Sequence, residues 1–450
     1  MEKKEDKCWR THVAFLPMPF QGHINPMLNL AKHLVYKRVK VTIAISLSKA
    51  KFIETDNSKI TVELYSDGSE DGGESRTLDS YLKHFKEVGT KNVSKLIENH
   101  LNSKYPIKCL IYSSVIPYAQ NIAKQYGLIG ASFFTQSCAV NSIYYHVYHG
   151  HLITPVRGPQ VSLPGLPVLE THELPSALSV FYPDQEDRSV LRLLTNQFSN
   201  VEETNWLLFN TFDKLEDEVV KWTAEQWPEK VISVGPTVPS IYLKNGPEAS
   251  KHDSSHYIEW LNTMDSGSVV YVSFGSVTKL GEDQIGELAW GIKRSNMYFL
   301  WVVRDEEQHK LPTKFQDDIS KQGLVVSWCS QLDVLAHKAV GCFLTHCGWN
   351  STVEALSLGV PMIAVPQHID QPTNAKFVED IWRVGVRAKV DDKGVVRREE
   401  IENCIKDVMQ GGRREELKRN AVRWRELAKE AVDEGGSSDR NIDNFIAALA

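Results

Sequence analysis

Residues 12–46 read HVAFLPMPFQGHINPMLNLAKHLVYKRVKVTIAIS, and their pattern indicates the class of fold. Its two ends, His12–Phe15 and Val39–Ser46, are short apolar runs that contain β-branched residues, which is typical of strands. Between them, apolar residues recur at helical spacing from Met27 to Tyr36. The order strand, helix, strand predicts a βαβ unit, in which the two strands are parallel.

The same alternation continues along the first half of the chain. Lys108–Tyr112 and Gly130–Thr135 read as strands, and Tyr118–Tyr126 between them reads as a helix. Continuously apolar strands separated by helices predict a parallel sheet that is covered on both faces. An acidic, Gly-rich stretch, Asp67–Glu74, is interpreted as a surface loop.

The pattern restarts after Gly235–Lys251, whose Gly, Pro, Ser and charged residues lack periodicity and indicate an interdomain linker. The strands predicted beyond it are Val269–Phe274, Tyr298–Val303, Gly323–Ser327, Gly341–Leu344 and Pro361–Val365. We therefore predict an α/β protein with two Rossmann-like, doubly wound domains that face a cleft. The expected boundaries are residues 1–236 for the first domain, 237–252 for the linker and 253–436 for the second domain.

The composition excludes several classes of function. The 450 residues carry 51 basic and 57 acidic side chains, a formal charge of −6, so no basic surplus is available for nucleic acid or an anionic membrane surface. No stretch approaches the roughly 20 apolar residues of a membrane span, and Pro17 and Pro19 break the first apolar run before it reaches the length of a secretory signal. We expect a cytosolic protein that keeps its seven cysteines as thiols and has no obligate protein partner.

A candidate anion site lies in Gly341–Leu356, GCFLTHCGWNSTVEAL. A buried strand is followed by a Gly-containing loop and by a helix, whose first amides and dipole attract negative charge. Ser351 and Glu354 have the S-x-x-E spacing of a capping box, and His346 and Ser351 offer further hydrogen-bond donors. An alternative is equally open, in which Ser351 and Glu354 only cap the helix and His346 belongs to the core.

Two more polar clusters follow other predicted strands. Trp328–Gln331 and Gln367–Gln371 lie, like His346, at the carboxyl ends of strands. An indole offers a flat face for a base, a carboxylate suits a ribose diol, and an Asp–Gln pair suits sugar hydroxyls. Together the three clusters predict a nucleotide-sugar site, although Trp328 taken alone is better explained by core packing.

The segment Trp328–Gln371, WCSQLDVLAHKAVGCFLTHCGWNSTVEALSLGVPMIAVPQHIDQ, resembles the signature box of plant family 1 UDP-dependent glycosyltransferases, which modify small secondary metabolites. PMPFQGHINPMLNLAKHL near the start, SFFTQSCAVNSIYYH in the middle and VVYVSFGSV beyond the linker are similar to that family as well. The resemblance implies a GT-B architecture, inverting chemistry, a UDP-sugar donor and no prosthetic group. It also implies that a C-terminal helix, residues 437–450, packs back on the first domain.

The resemblance assigns residues of this chain to each part of the donor. They are Trp328 and the Cys329 backbone for uracil, Gln331 and Glu354 for the ribose, His346, Asn350, Ser351 and Ser276 for the diphosphate, and Trp349, Asp370, Gln371 and, from the other domain, Thr135 for the hexose. A glutamine in the place of Gln371 goes with glucose donors in this family, so UDP-glucose is the expected donor. The sequence has neither the D-x-D motif of metal-dependent transferases nor a His/Cys cluster with zinc spacing, so we expect no metal site.

The candidate general base is His23, which the sequence pattern places in the loop between the first strand and the first helix. An unperturbed imidazole, with a pKa near 6.5, is suited to proton transfer at neutral pH. A lone histidine is more often structural or solvated. A histidine at the matching position is nevertheless the base in the family that this chain resembles, and we expect the same role here.

Ser113 departs from that family, which has an aspartate at this position to support the imidazolium. Four hypotheses stay open: Ser113 acts through water, another carboxylate substitutes, the acceptor is acidic enough to need little help, or the position has been engineered. His368 is a second departure, because an aromatic residue is common there, and it leaves the shape of the sugar pocket open.

Aromatic residues of the first domain, in Ser142–His146 and Leu178–Tyr182, are candidates for an acceptor pocket. An equally open alternative makes Tyr144, Tyr145 and Tyr148 one core stripe of a helix. The resemblance is to the subgroup that glucosylates salicylate-like acids, triterpenoids and steroids. A steroid or triterpenoid is therefore expected, and a phenolic, flavonoid or carboxylic acceptor is the second choice.

Two other functions compete with this one. A nicotinamide-dependent oxidoreductase would carry G-x-G-x-x-G after the first strand, where this chain has PMPFQGHINP, so that class is excluded. A catalytically weak nucleotide-sugar binding protein stays open, because Ser113 removes a catalytic helper while the donor residues are intact.

Overall fold

The computed structural model describes residues 8–52, 59–68, 77–178, 185–245, 255–313, 315, 319 and 321–449. The chain divides into two compact units. The first unit comprises Met1–Thr171, Ala177–Pro239 and Ala431–Ala450, and the second comprises His172–Ser176 and Ser240–Glu430. Of the predicted loop Asp67–Glu74 and the predicted linker 237–252, residues 69–74 and 246–252 lie outside the described part of the chain.

The first unit is built on a parallel sheet. Its strands are β1 (His12–Leu16), β2 (Lys40–Ser46), β3 (Ile60–Tyr65), β4 (Cys109–Ser113), β5 (Ile129–Phe134), β8 (Trp206–Phe209) and β9 (Val231–Ser233), and a small antiparallel pair, β6 (Gln160–Val161) and β7 (Leu169–Glu170), lies apart from them. The sheet order is β3-β2-β1-β4-β5-β8-β9, so the chain works outward from β1 in both directions. This is the strand order of a doubly wound sheet.

Helices connect these strands and cover them. They are α1 (Gln21–Tyr36), α2 (Leu78–Leu101), α3 (Ala119–Gln125), α4 (Cys138–Tyr148), α5 (Gln185–Asn196) and α6 (Asp217–Gln226). The face of α1 that carries Met27, Leu30 and Leu34 is buried against the strand residues Val13 and Phe15. Burying this apolar face is what stabilises the helix, because helical propensity alone contributes little.

The second unit repeats the same construction. Its strands are β10 (Val269–Ser273), β11 (Tyr298–Val302), β12 (Gly323–Val326), β13 (Val340–Thr345), β14 (Met362–Ala364) and β15 (Gly385–Arg387), in the order β12-β11-β10-β13-β14-β15 and parallel throughout. Its helices are α7 (Ser240–Asn245), α8 (His256–Asn262), α9 (Glu282–Arg294), α10 (Gln331–Ala336), α11 (Trp349–Leu358), α12 (Gln371–Lys376), α13 (Arg398–Met409) and α14 (Arg414–Val432).

The last helix, α15 (Ser437–Ala448), belongs to the first unit. Its apolar residues Ile442 and Phe445 join the hydrophobic core that contains β1 and β2. Asp439 near its start forms an ion pair of 2.6 Å with Lys37, the residue that follows α1. The hydroxyl of Ser438 donates a hydrogen bond to the Gly235 carbonyl. The chain therefore returns to the unit in which it began.

The architecture confirms the predicted α/β class with two doubly wound sheets, and most predicted strand ends lie within one residue of the observed ones. The start of the first helix was wrong, because α1 begins at Gln21 and not at Met27. Pro26 lies inside the helix and removes only its own N–H from the hydrogen-bond series, so it does not end the helix. In the described part of the chain, no helix is both long enough and apolar enough to cross a bilayer.

Candidate active site

The order of strands in the second unit reverses between β10 and β13, and the candidate donor residues follow these strands and their neighbours. In doubly wound sheets, ligands bind at such a point, beyond the carboxyl ends of the strands. His346 follows β13 directly. A Cβ added at Gly275, after β10, would lie 2.8 Å from His346 Nε2, and one at Gly348 would lie 2.6 Å from it. Both glycines are therefore needed to make room for the imidazole.

His346 is a buried residue of this loop. The Thr345 hydroxyl lies 3.4 Å from its Nδ1, and the Thr345 oxygen also accepts the backbone N–H of Cys347. Burial lowers the pKa of His346 to about 4, so the ring is neutral at physiological pH. A neutral imidazole offers one N–H to an anion, and the choice of nitrogen follows from what the other one contacts.

Helix α11 corrects the capping-box prediction. The helix begins at Trp349, and its N-cap is Gly348, which makes no side-chain cap hydrogen bond. Ser351 is therefore the third helical residue and not the cap. The carboxylate of Asp370 accepts the backbone N–H of Trp349, so one of the first amides is satisfied from a different loop. A sequence motif cannot reveal a partner supplied by tertiary structure.

Instead of capping α11, Ser351 and Glu354 are bonded to Gln331, the first residue of α10. The amide nitrogen of Gln331 donates to Glu354 Oε2 at 2.6 Å and to Ser351 Oγ at 3.0 Å. Burial raises the pKa of Glu354 to about 7, against the opposing effect of the bond from Gln331. The structure thus brings three of the predicted donor residues into one hydrogen-bonded group.

Trp328 and Cys329 lie just before this group, after β12. Trp328 is 62% exposed, so core packing, the alternative for this residue, is wrong. Cys329 is buried, and the Tyr271 hydroxyl lies 3.5 Å from its sulfur and 3.5 Å from Gln331 Oε1. Burial raises the pKa of Cys329 to about 11, which keeps it a thiol.

Ser276, after β10, is exposed, and its carbonyl accepts a hydrogen bond of 2.7 Å from Arg304.

The residues after β14 form the last part of the candidate donor site. Asp370 accepts a hydrogen bond of 2.7 Å from Asn374, and burial raises its pKa to about 6. Gln371 Oε1 accepts the backbone N–H groups of Gln367 at 2.8 Å and His368 at 2.9 Å. Its amide oxygen is therefore occupied, and its NH2 group is the end that remains for a ligand.

The loop that carries these residues is fixed by a segment distant in sequence. Ser176 donates its backbone N–H to the Ile369 carbonyl at 2.9 Å and accepts the Ile369 N–H on its hydroxyl at 2.8 Å. Ile369 has a φ of +58°, a conformation that is costly for a β-branched residue and that these bonds hold in place.

Asn350 is half-buried in the first turn of α11, Trp349 is buried beside it, and the exposed side chain of His368 lies on the loop.

In the first unit, His23 lies in the first turn of α1. The prediction that it lies in the loop before this helix was wrong. Its Nδ1 is 3.2 Å from the Thr135 hydroxyl, just after β5. Loss of solvent lowers the pKa of His23 to about 4.

Ser113, the last residue of β4, is fully buried, and its hydroxyl accepts the Met18 N–H at 2.9 Å and donates to Met27 Sδ. Within the described residues, no hydrogen bond joins Ser113 to His23.

The tyrosines of α4 do not form one core stripe. Tyr144 is fully buried, whereas Tyr148 is 42% exposed. Tyr145 packs edge-on against Trp222 and Trp227, with ring centroids 5.4 Å and 5.2 Å away. Residues 179–182 of the segment Leu178–Tyr182 lie outside the described part of the chain.

Sequence reasoning missed several residues that shape these sites. Gly275 and Ser176 act through backbone geometry or a contact distant in sequence, and Tyr271 appears in the sequence only as one residue of an apolar strand. The glycine of the loop after β13, Gly348, could be predicted. Asn374 carried a local signal, because it lies four residues after Asp370 and faces the same side of α12. Among the described residues, no group of three or more histidine, cysteine or acidic side chains is arranged to hold a metal ion.

Comparisons with known proteins show the family to which the chain belongs. The family model "UDP-glucoronosyl and UDP-glucosyl transferase" matches residues 209–432. The chain is 47% identical over 450 residues to "Mogroside I-E synthase" from Siraitia grosvenorii, covering 98% of both chains. It is 45% identical to "UDP-glucosyltransferase 74AE2" from Panax ginseng, covering 98% of this chain and 99% of that one.

A solved structure is also similar over nearly the whole chain. It is that of Os79 from O. sativa in complex with U2F and trichothecene, with a TM-score of 0.89 and 35% identity. The match covers 97% of this chain and 100% of that one. A further structure of the same rice protein contains UDP. These likenesses extend through both units and confirm the GT-B fold class predicted from the sequence.

Proposed function

Since the chain belongs to the plant family 1 UDP-glycosyltransferases and is a UDP-sugar-dependent enzyme, we propose that it transfers glucose from UDP-glucose to a hydroxyl of a small hydrophobic natural product, with inversion at the anomeric carbon. In this proposal, residues 1–236 bind the acceptor and residues 253–436 bind the donor. The observation that carries it is the hydrogen-bonded group of Gln331, Ser351 and Glu354 at the strand ends of the second unit.

Each part of the donor has candidate partners in the second unit. The exposed face of Trp328 stacks on uracil, and the backbone of Cys329 binds the edge of the base. Gln331 and Glu354 hold the ribose diol, because a carboxylate accepts two hydroxyl hydrogen bonds.

The diphosphate and the hexose use the residues around the start of α11. The diphosphate binds His346, Asn350, Ser351 and Ser276, near the first amides of the helix. The hexose binds Trp349, Asp370 and Gln371, and Thr135 of the first unit. The Gln371 NH2 group donates to a sugar hydroxyl, because its oxygen is already bonded to the loop.

The reaction is a single displacement at the anomeric carbon. The acceptor oxygen forms a bond to that carbon while the bond to UDP breaks, and UDP leaves with the electron pair. His23 accepts the hydroxyl proton at Nε2, and the donor-binding amides and His346 stabilise the charge that develops on the departing phosphate. Starting from the α-linked donor, the product is a β-glucoside.

The favoured acceptor is a steroid or triterpenoid, and phenolic, flavonoid and carboxylic acceptors are second. Support comes from two similar proteins: one, at 47% identity, is named a mogroside synthase, and the other, the rice protein at 35% identity, was solved in complex with a trichothecene. Exposed and half-buried aromatic side chains along α4 are chemically suited to a flat apolar ligand.

The test is a turnover assay with UDP-glucose and a panel of steroids, triterpenoids, flavonoids and benzoic acids, followed by mass spectrometry and proton NMR of the product. We expect a mass gain of one hexose and the anomeric coupling of a β-glucoside, unchanged by EDTA. Tight UDP binding without any product would instead favour the nucleotide-sugar binding protein. An α-linked product would contradict inversion alone.

A further inference from the structure

The imidazole of His23 has a single hydrogen-bond partner in the described part of the chain. Its Nδ1 lies 3.2 Å from the hydroxyl oxygen of Thr135, within the normal range for an N–H···O bond. Both residues follow strands of the same parallel sheet, His23 after β1 and Thr135 after β5, with β4 between them. The contact therefore joins two strand ends at the same edge of the sheet.

Ser113 is not available for this role, although it ends the strand between them. Its hydroxyl oxygen accepts the Met18 N–H, its hydrogen points to Met27 Sδ, and the side chain is fully buried. The donor and one acceptor site of this hydroxyl are thus used within the loop after β1 and on α1, and in the described part of the chain no hydrogen bond joins it to His23. They fix the backbone that leads into the first turn of the helix, and they leave the imidazole to another partner.

Thr135 is held firmly enough to orient a ring. Its side chain is buried, and β-branching restricts its χ1 angle. The carbonyl of the preceding Phe134 accepts the Asn210 N–H at 3.2 Å. The following carbonyls, of Gln136 and Ser137, accept hydrogen bonds of 3.0 Å and 2.9 Å from the Asn141 side chain. Hydrogen bonds thus fix the backbone on both sides of Thr135.

We infer that Thr135 is the positioning residue for His23. It takes the role that a carboxylate would otherwise have, which is to hold the imidazole in one orientation. The inference rests on the proposed function of His23 as the general base. For Nε2 to accept the proton of the acceptor hydroxyl, it must carry no hydrogen, so Nδ1 carries it and donates it to Thr135 Oγ1. After the transfer, the imidazolium keeps this bond while the new glycosidic bond forms and UDP departs.

A hydroxyl orients the ring but adds no negative charge beside it. The imidazolium that forms is therefore less stabilised than it would be beside a carboxylate. Acceptors with a less acidic hydroxyl require more complete proton transfer in the transition state, so they depend more strongly on the Thr135 bond. The range of acceptor hydroxyls that the enzyme can use therefore depends on the His23–Thr135 contact.

The direct test is the tautomer of His23, which NMR reads without any turnover. The full chain is labelled with 15N-histidine, and the His23 signals are those lost in His23→Ala. We expect the Nδ1–H tautomer at neutral pH in the wild type and in Thr135→Ser, and a shift toward the Nε2–H tautomer in Thr135→Val. An unchanged tautomer in Thr135→Val would overturn the inference.

A matched control separates this effect from damage to the fold. Thr223 is also buried in the first unit, where its hydroxyl donates to the Val219 carbonyl at 2.7 Å inside α6. Thr223→Val removes a buried hydroxyl without touching His23, and it should leave the tautomer as in the wild type. A tautomer shift in Thr223→Val equal to that in Thr135→Val would show that the effect is not specific, and would contradict the inference.

Kinetics give the second readout. Thr135→Val should lower kcat about tenfold or more, and more for an aliphatic alcohol than for a phenol, in addition to any rise in the KM for UDP-glucose from the lost hexose contact. Thr135→Ser should restore most of the kcat. A raised KM for UDP-glucose at unchanged kcat would assign Thr135 to the hexose alone and overturn the inference. If the wild type turned over no acceptor while the tautomer shifted as expected, the proposed function would fail and the His23–Thr135 contact would stand.

Discussion

Gln331 donates a hydrogen bond of 2.6 Å to the carboxylate of Glu354, across the gap between the starts of α10 and α11. The same nitrogen reaches Ser351 at 3.0 Å, so one amide ties together residues proposed for the ribose and for the diphosphate. Burial meanwhile raises the pKa of Glu354 to about 7. A carboxylate that titrates near neutral pH in a proposed ribose site makes donor binding depend on pH.

Donor affinity should therefore fall as the pH decreases through 7. Glu354 is ionised above its raised pKa and accepts charge-assisted bonds from the ribose, and below that pKa it is protonated and accepts weaker ones. We expect the Kd for UDP-glucose, measured by calorimetry, to rise about fivefold between pH 8 and pH 6. UDP-glucose is chosen because its diphosphate has no proton to lose in this range.

Glu354→Gln is the matched variant for this measurement. It keeps the size of the side chain and removes the titrating group, so its affinity should vary with pH much less than that of the wild type. Asp370, whose pKa is raised to about 6, titrates in both proteins, so it does not contribute to the difference between their pH curves. Parallel pH curves for the two proteins would contradict the role given to Glu354.

Gly348→Ala should impair donor binding through His346. The added Cβ would lie 2.6 Å from His346 Nε2, so the imidazole must move away from its present place. Losing one hydrogen bond to a charged phosphate lowers UDP affinity about tenfold or more. Gly286→Ala is the control, since nothing lies within 4 Å of its added Cβ on α9, and it should leave UDP affinity unchanged. Equal UDP affinity in Gly348→Ala and the wild type would contradict the proposed contact.

Trp328→Ala should weaken UDP binding without destabilising the protein. The side chain is 62% exposed, so its removal costs little packing. Stacking of an aromatic side chain on a base contributes about 1–3 kcal/mol, so the Kd for UDP should rise about tenfold. Trp328→Phe should recover part of the affinity, and Tyr298→Ala, which removes another exposed aromatic side chain at the start of β11, should have no effect. A lowered thermal midpoint with unchanged Kd would assign Trp328 to packing.

Ser113→Ala and Ser113→Asp separate structure from catalysis at this position. Ser113→Ala removes the acceptor of the buried Met18 N–H and should lower the free energy of unfolding by about 1–3 kcal/mol, with a small effect on kcat. Ser113→Asp should raise kcat about tenfold if support of the base limits turnover. An unchanged kcat on several acceptors would show that base support does not limit this enzyme.

Much of the fold follows from local sequence pattern. Most strands in the centre of the two sheets are continuous apolar runs, such as Val269–Ser273, and their bounds could be predicted to within about one residue. The edge strands β3 and β15 and the inner strand β8 were not predicted. β8 and β15 have only four and three residues, and β3 is partly exposed. The start of α1 was missed because Pro26 is a helix breaker in sequence statistics but is tolerated where only one backbone bond is lost.

The candidate donor site could be predicted as a set of residues but not as a set of contacts. Trp328, His346 and Asp370 follow strands, so their proximity at one edge of the sheet could be inferred from topology. Glu354 is bonded to Gln331, and the first amide of α11 is bonded to Asp370. No nearby sequence motif indicates either pairing, because the partners lie on different elements. For the same reason the capping-box interpretation failed.

The hydrogen-bond partner of His23 could not be predicted from the sequence. Thr135 is 112 positions away along the chain. The resemblance to the family directed attention to Ser113, because it implies a supporting carboxylate at that position, and four hypotheses stayed open. Only the assembled sheet reveals that Ser113 is committed to Met18 and that a different strand end reaches the imidazole.

Glucosyl transfer with His23 as the base is tested by measuring product formation and UDP affinity together for His23→Ala. Under saturating UDP-glucose with EDTA and the best acceptor of the panel, we expect wild-type product and a loss of about 100-fold or more in kcat for the variant, with the Kd for UDP unchanged. Equal rates for the two proteins would contradict the assignment of His23, and loss of UDP binding in the variant would show that His23 serves the structure of the site.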